Sequence, residues 1–112
     1  MRLERLIERR IARHLIKALL DAGLDVAVYD PTEDEFVLPR TTDRIAIFKV
    51  MHKIDETIQL IAFIPKSRSK KGWVAFIWGN GSCCISDYHF GLEGTLKPVN
   101  QMAERLAELW EL

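Results

Sequence analysis

The spacing of hydrophobic and polar positions predicts a helix near each end of the chain. Between residues 2 and 22, apolar residues recur every three or four positions on one face, and Gly23 follows as a left-handed C-cap. Basic residues occupy mostly the other face of this helix. A second helical pattern has Pro98 in its first turn and runs to about residue 110, with residues 91–96 as the preceding connection.

Short β-branched and apolar runs between turn residues predict five strands. They span residues 26–29, 36–38, 57–64, 73–78 and 83–88. Residues 45–53 fit a helix face or a strand face, and the capping pattern Thr41-Thr42-Asp43 favours the helix. The order α-β-β-α-β-β-β-α predicts one α+β domain over residues 1–112. Its antiparallel sheet of about four to five strands carries the N- and C-terminal helices.

Asn80-Gly81 is a strong hairpin pattern, and a two-residue turn there would fix the strand register. One face would then carry Val74, Phe76 and Trp78 with Cys83, Ile85 and Asp87, and the other Trp73, Ala75 and Ile77 with Cys84, Ser86 and Tyr88. The first face is the more apolar and is expected to meet the helices. Trp73 and Tyr88 would lie opposite each other on the second face, as an aromatic patch suited to a partner.

Composition narrows the class of protein. The chain has 112 residues, of which 48% are hydrophobic and 29% charged, which excludes a disordered or low-complexity protein. Neither a signal peptide nor an apolar run of about 20 residues is visible, so we expect a cytoplasmic protein without a membrane partner. Cys83 and Cys84 are neighbours and a poor disulfide pair, so both are expected to be free thiols.

Charge is balanced in total but segregated along the chain. Sixteen basic and sixteen acidic residues give a net charge of zero, which argues against a strongly basic nucleic-acid binder. Residues 1–20 nevertheless carry +4, residues 21–36 carry −6 and residues 57–86 carry +4. Local surfaces of both signs suit self-association as well as a polyanion.

A basic loop precedes Trp73 and supports nucleic-acid binding as an alternative function. The candidate residues are Lys66, Arg68, Lys70 and Lys71, together with Arg9 and Arg13 on the basic side of the first helix. Cations beside an aromatic residue suit phosphate contact with base stacking. The competing interpretation is a solvated loop whose cations protect strand ends from edge pairing.

Asp87 and His89 support a second alternative, a small acid–base enzyme. The competing interpretation is a strand end where Asp87 bonds backbone groups and His89 faces water. No catalytic motif, metal-ligand spacing or phosphate loop accompanies them, so we expect no metal and no cofactor.

The chain also resembles a family. Its segments have a spacing that resembles that of small proteins encoded in phages and prophages. They are Thr41-Thr42-Asp43 ahead of a short helix, then Trp73-Val74, Gly79-Asn80-Gly81, Ile85-Ser86-Asp87-Tyr88, Leu92-Glu93 and Pro98-Val99. The resemblance covers about residues 40–110. It implies a cytoplasmic, accessory, non-catalytic protein and transfers no active-site residue.

The preferred hypothesis is therefore a protein-interaction module that forms a homo-oligomer. Its candidate partner-binding residues are Trp73, Tyr88, Asp87 and His89. The first helix supports the same hypothesis. Three of its apolar residues lie off the main apolar stripe, where another subunit could cover them: Leu6, Ile16 and Leu20.

Overall fold

The computed structural model describes residues 3–54 and 56–110, and the side chain of residue 110 is not included. Along this part of the chain the elements are α1 (Leu3–Asp21), β1 (Asp25–Asp30), β2 (Glu35–Thr41), α2 (Arg44–Lys53), β3 (Thr57–Phe63), β4 (Lys70–Ile77), β5 (Ile85–Tyr88) and α3 (Glu93–Trp110). Single 3₁₀ turns lie at Gly81–Cys83 and Phe90–Leu92. The α+β class and the order α-β-β-α-β-β-β-α are confirmed, and residues 45–53 are helical.

The sheet has the strand order β2-β1-β3-β4-β5, and all neighbouring strands are antiparallel. Because β2 and β3 both flank β1, they run in the same direction and need a crossover between them. The helix α2 supplies that crossover and packs beside α1. No helix in the described part of the chain is long and apolar enough to cross a membrane.

One hydrophobic core joins the three helices to a single face of the sheet. Residues of α1, α2 and α3 belong to the same buried cluster as alternate residues of β1, β3 and β4. Ile16 is fully buried and Leu20 packs against this cluster, so the fold itself covers two residues that the sequence offered to another subunit. Leu6 stays 50% exposed.

The C-terminal helix begins earlier than predicted. It starts at Glu93, so Pro98 lies inside it and much of the predicted connection over residues 91–96 is helical. A proline at this position removes the backbone hydrogen bond that residue 98 would donate to the carbonyl of Gly94, four residues earlier. Leu92 and Leu96 are fully buried and continue the helical spacing of the core residues that follow.

The predicted register of the β4–β5 hairpin is wrong. Val74 pairs with Tyr88 and Phe76 pairs with Ile85, so Tyr88 shares the helix-covered face with Val74 and does not oppose Trp73. The loop between the strands spans residues 78–84 rather than two turn residues. It also reverses the predicted placement of the cysteines, because Cys84 is buried in the core and Cys83 is exposed.

The physical reason lies in contacts between this loop and the helices. The carboxylate of Glu8 accepts the backbone N–H groups of Gly79 at 2.9 Å and Gly81 at 2.7 Å. The indole N–H of Trp78 donates to the Met51 carbonyl at 2.7 Å. Asn80 has φ of −95°, whereas a two-residue type I′ turn needs positive φ at both central positions.

Candidate functional site

The face of the sheet opposite the helices, which we call the open face, carries a layer of aromatic and aliphatic residues. It is formed by Ala27, Tyr29, Phe36, Ile61, Phe63 and Trp73. Ala27, Ile61 and Phe63 form a buried cluster, and half-buried Tyr29 and Trp73 pack against it. The sequence builds this face by period-two alternation in β1 and β3, whose intervening residues enter the main core.

A polar side chain contacts the aromatic layer at each of its two ends, Arg40 at one end and Asp34 at the other. The Arg40 guanidinium lies 4.5 Å from the centre of the Phe63 ring and donates to the Asp25 carboxylate at 3.0 Å. It also donates to the carbonyls of Ile64 and Ser67, which fixes the loop between β3 and β4. At the other end the Tyr29 hydroxyl donates to Asp34, and this hydrogen bond raises the Tyr29 pKa.

Phe36 is the most exposed aromatic residue of the open face. Its ring meets that of Tyr29 edge-on, with 5.2 Å between centroids, and the residue is 53% exposed. Trp73 lies further across the face, in register with Ile61 of β3. The face therefore offers aromatic surface on an edge strand and near its centre.

The loops at the two ends of the strands carry opposite charge. The register pairs Asp25 with Phe63 and Asp30 with Glu35, so the β3–β4 loop and the β1–β2 turn lie at opposite ends of the strands. The basic end carries Lys66, Arg68, Lys70 and Lys71, and the acidic end carries Asp30, Glu33, Asp34 and Glu35. Glu33 and Asp34 lie in the turn, whereas Asp30 and its register partner Glu35 share the strand face of the core residues of β1, and Asp30 is buried. The charge segregation seen along the sequence becomes a dipole along the strands.

The four predicted partner-binding residues do not form one site. Trp73 lies on the open face, and Asp87 lies opposite Ala75 of that face, exposed at the β5 edge. Tyr88 packs against the helix-covered core. His89 accepts the Gly91 N–H at its Nδ1 atom, at 3.1 Å, and thereby caps the following 3₁₀ turn.

The acid–base pairing suggested by the sequence is not formed in the described part of the chain. The Asp87 carboxylate accepts the N–H of Tyr88 at 2.8 Å rather than contacting His89. The His89 ring packs against that of Phe90, with 4.3 Å between centroids. Both polar side chains therefore serve local backbone structure.

The predicted cations are divided between two layers. Lys66 and Arg68 lie in the β3–β4 loop, whereas Lys70 and Lys71 begin β4. The other two cations, Arg9 and Arg13, lie on α1 in the helical layer, where they face α2. The structure therefore separates the two basic elements that the nucleic-acid hypothesis combined.

The surroundings of Cys84 keep its thiol protonated. Burial, with the nearby Glu8 carboxylate, raises the pKa of the Cys84 thiol to about 12, so this thiol stays protonated at neutral pH. Across residues 3–54 and 56–110, no group of three or more His, Cys, Asp or Glu residues is arranged to hold a metal ion.

Sequence reasoning identified Trp73 but missed Tyr29, Phe36, Phe63 and Arg40. The alternation of apolar residues in β1 and β3 is the pattern that could have placed them on a second face. Comparison of the chain with family models, curated proteins and solved structures found no match.

Proposed function

We propose that this chain is a small, non-catalytic protein-interaction module whose open face binds a second copy of itself. The observation that carries the proposal is an exposed aromatic sheet face whose strands end in loops of opposite charge. Two sheets can pack face to face about 10 Å apart, and aromatic residues are enriched where proteins meet. Phe36 and Trp73 supply the aromatic surface for such a contact.

Charge selects one arrangement of the two copies. In an isologous dimer the same patch of each chain meets the other across a two-fold axis. An axis that runs across the strands places the basic end of one copy over the acidic end of the other, with the aromatic layers between them. An axis along the strands would oppose like charges, which is unfavourable.

The size of the face sets the expected strength. Five strands about 4.8 Å apart and about six residues long cover roughly 24 by 20 Å, or about 500 Å² per copy. This is below the roughly 800 Å² per partner of a standard stable interface. The proposal is therefore a dimer that forms with rising concentration rather than an obligate one.

The proposal places the protein in the cytoplasm, where Cys83 and Cys84 would remain thiols. It keeps the phage or prophage origin implied by the resemblance over residues 40–110. The genes beside the coding sequence test that origin, since genes of phage structure, replication or lysogeny would support it and an unrelated operon would oppose it.

Exchange of the charges at the two ends tests the dimer. The basic-end variant is Lys70→Glu with Lys71→Glu, and the acidic-end variant is Glu33→Lys with Glu35→Lys. Sedimentation should show the wild type approaching twice its mass of 12.9 kDa as concentration rises. Each variant alone should stay monomeric because one of its ends has no net charge and no longer attracts the opposite end of its copy. An equimolar mixture should form a heterodimer, because each variant keeps the charged end that the other lacks.

A charge-matched control uses exposed residues of α3, as Lys97→Glu with Arg105→Glu, and should dimerise like the wild type. A wild type that stays monomeric at all concentrations contradicts the proposal. Dimers of either charge variant at wild-type strength, or a mixture that stays monomeric while the wild type dimerises, would exclude the open face as the interface.

A further inference from the structure

A cationic cleft lies between α1 and α2, on the helical layer away from the open face. It encloses about 450 Å³ and is lined by Arg13, His14, Lys17, Arg44, Ile45, Phe48 and Lys49. The two helices run antiparallel. Arg9 of α1 contacts His52 of α2, and Arg13, one turn further along α1, contacts Phe48, one turn closer to the start of α2. Their basic residues therefore line the two walls of one groove, although they come from distant parts of the sequence.

The cleft holds positive charge that the rest of the described chain does not neutralise. None of its lining residues is acidic. Lys17 forms an ion pair with Asp21 at 2.6 Å, but within residues 3–54 and 56–110 no ion pair reaches Arg13, Arg44 or Lys49. Three uncompensated cations therefore converge on one groove in a protein with no net charge.

Asp43, beside the cleft, is committed to the fold. Its carboxylate accepts the N–H groups of Ile45 at 3.0 Å and Ala46 at 3.2 Å as the N-cap of α2. A capping carboxylate at this position contributes helix stability rather than an ion pair across the groove. The basic walls therefore remain open to an external anion.

Phe48 forms an aromatic floor in the cleft and contacts side chains of both helices. The Arg13 guanidinium lies 4.8 Å from the centre of the Phe48 ring, and the His52 ring stacks on Phe48 with an interplanar angle of 9°. Arg9 donates to the Nε2 atom of His52 at 2.8 Å. Ile45 at the mouth is 63% exposed. The cleft thus combines exposed cations with exposed apolar surface.

We propose that this cleft binds single-stranded nucleic acid through its backbone phosphates. A cationic groove with stacking and apolar surface is the usual way in which proteins bind single strands. The ten residues of α2 span about 15 Å, so a strand lying along the groove presents only a few phosphates to it. A duplex or a flat membrane would reach only the rim of a groove between two adjacent helices.

Fluorescence anisotropy with an end-labelled oligothymidylate of eight nucleotides tests the proposal. Binding should weaken with salt along a log–log slope of about −2, as expected for about three phosphates neutralised on a single strand. The variant Arg44→Gln with Lys49→Gln should bind at least about tenfold more weakly at 50 mM salt. The control Lys97→Gln with Arg105→Gln removes as much charge from α3 and should bind like the wild type.

Parallel measurements distinguish the other interpretations. Absence of binding at low salt overturns the proposal, as does binding unaffected by the cleft variant but lost in Lys70→Gln with Lys71→Gln. A duplex of the same length that binds as tightly overturns the single-strand assignment. Vesicles containing phosphatidylserine provide a further comparison. If the protein binds these vesicles through Arg44 and Lys49 and does not bind the oligonucleotide, the cleft is assigned to membrane surfaces. Circular dichroism confirms that each variant is folded.

Discussion

Replacement of Glu8 by alanine tests how the β4–β5 loop is held. Glu8 is only 1% exposed, and its carboxylate accepts backbone N–H groups from Gly79 and Gly81 at 2.9 and 2.7 Å. Hydrogen bonds to a charged acceptor contribute about 1.5–3 kcal/mol each, and Glu8→Ala leaves both donors without that acceptor. Relief of carboxylate desolvation and water access to the partly buried amides offset part of this loss. We expect a net destabilisation of about 2–4 kcal/mol.

Urea unfolding followed by circular dichroism measures this loss. Glu8→Gln keeps an acceptor oxygen but no charge, so it should lose about half as much as Glu8→Ala. The control Glu104→Ala removes an exposed carboxylate of α3 and should stay within about 0.5 kcal/mol of the wild type. Hydrogen exchange at Gly79 and Gly81 should accelerate in Glu8→Ala more than in the control. Equal stability of Glu8→Ala and the control would refute the view that this carboxylate holds the loop.

Three further predictions address stability. Asp43→Ala should cost about 1 kcal/mol in urea unfolding because α2 loses its N-cap, and Asp43→Asn should be close to the wild type. Burial raises the Cys84 pKa from 9.0 to about 12. The stability contributed by the protonated thiol is therefore present below pH 9 and should be lost as pH rises towards 12, by up to about 1.4 kcal/mol per pH unit. The variant Cys84→Ala should lack this pH-dependent loss. In calorimetry Gly91→Ala should lose about 1–3 kcal/mol because its Cβ would lie 2.4 Å from the Lys71 carbonyl oxygen, whereas Gly94→Ala, with open space at its Cβ, should not be destabilised.

The parts of the fold that sequence reasoning predicted depend on local patterns. Apolar residues at helical spacing lie close together in the chain, so α1 and the body of α3 could be located without knowledge of their neighbours, whereas α2 was assigned from its capping pattern. The capping pattern ending in Asp43 is a local feature as well, and its carboxylate does accept the amides of Ile45 and Ala46. Turn residues between short apolar runs similarly predicted the strand order along the chain.

The parts that were wrong depend on distant contacts. The hairpin register failed because Glu8, 71 residues before Gly79, draws the loop onto α1, and this contact has no signature near Asn80-Gly81. Tyr88 consequently faces the core, whereas Trp73 reaches the open face as expected. The cationic cleft escaped prediction for the same reason, because Arg13 meets α2 only in the folded chain.

The two proposed surfaces lie on opposite faces, so a dimer joined by its sheets would present two outward-facing clefts to one strand. A long oligothymidylate, of about 40 nucleotides, could occupy both clefts, and the second contact would then be intramolecular, with avidity gains of about 10²-fold or more. The eight-nucleotide strand cannot bridge them. The two charge-exchange variants of the sheet ends do not dimerise alone, so both should lose most of the wild type's preference for the long strand over the short one. The remaining preference should be similar in the two variants. These variants change the net charge in opposite directions, so a loss common to both cannot arise from charge alone. A preference for the long strand that is unchanged in both variants would show that the clefts act singly.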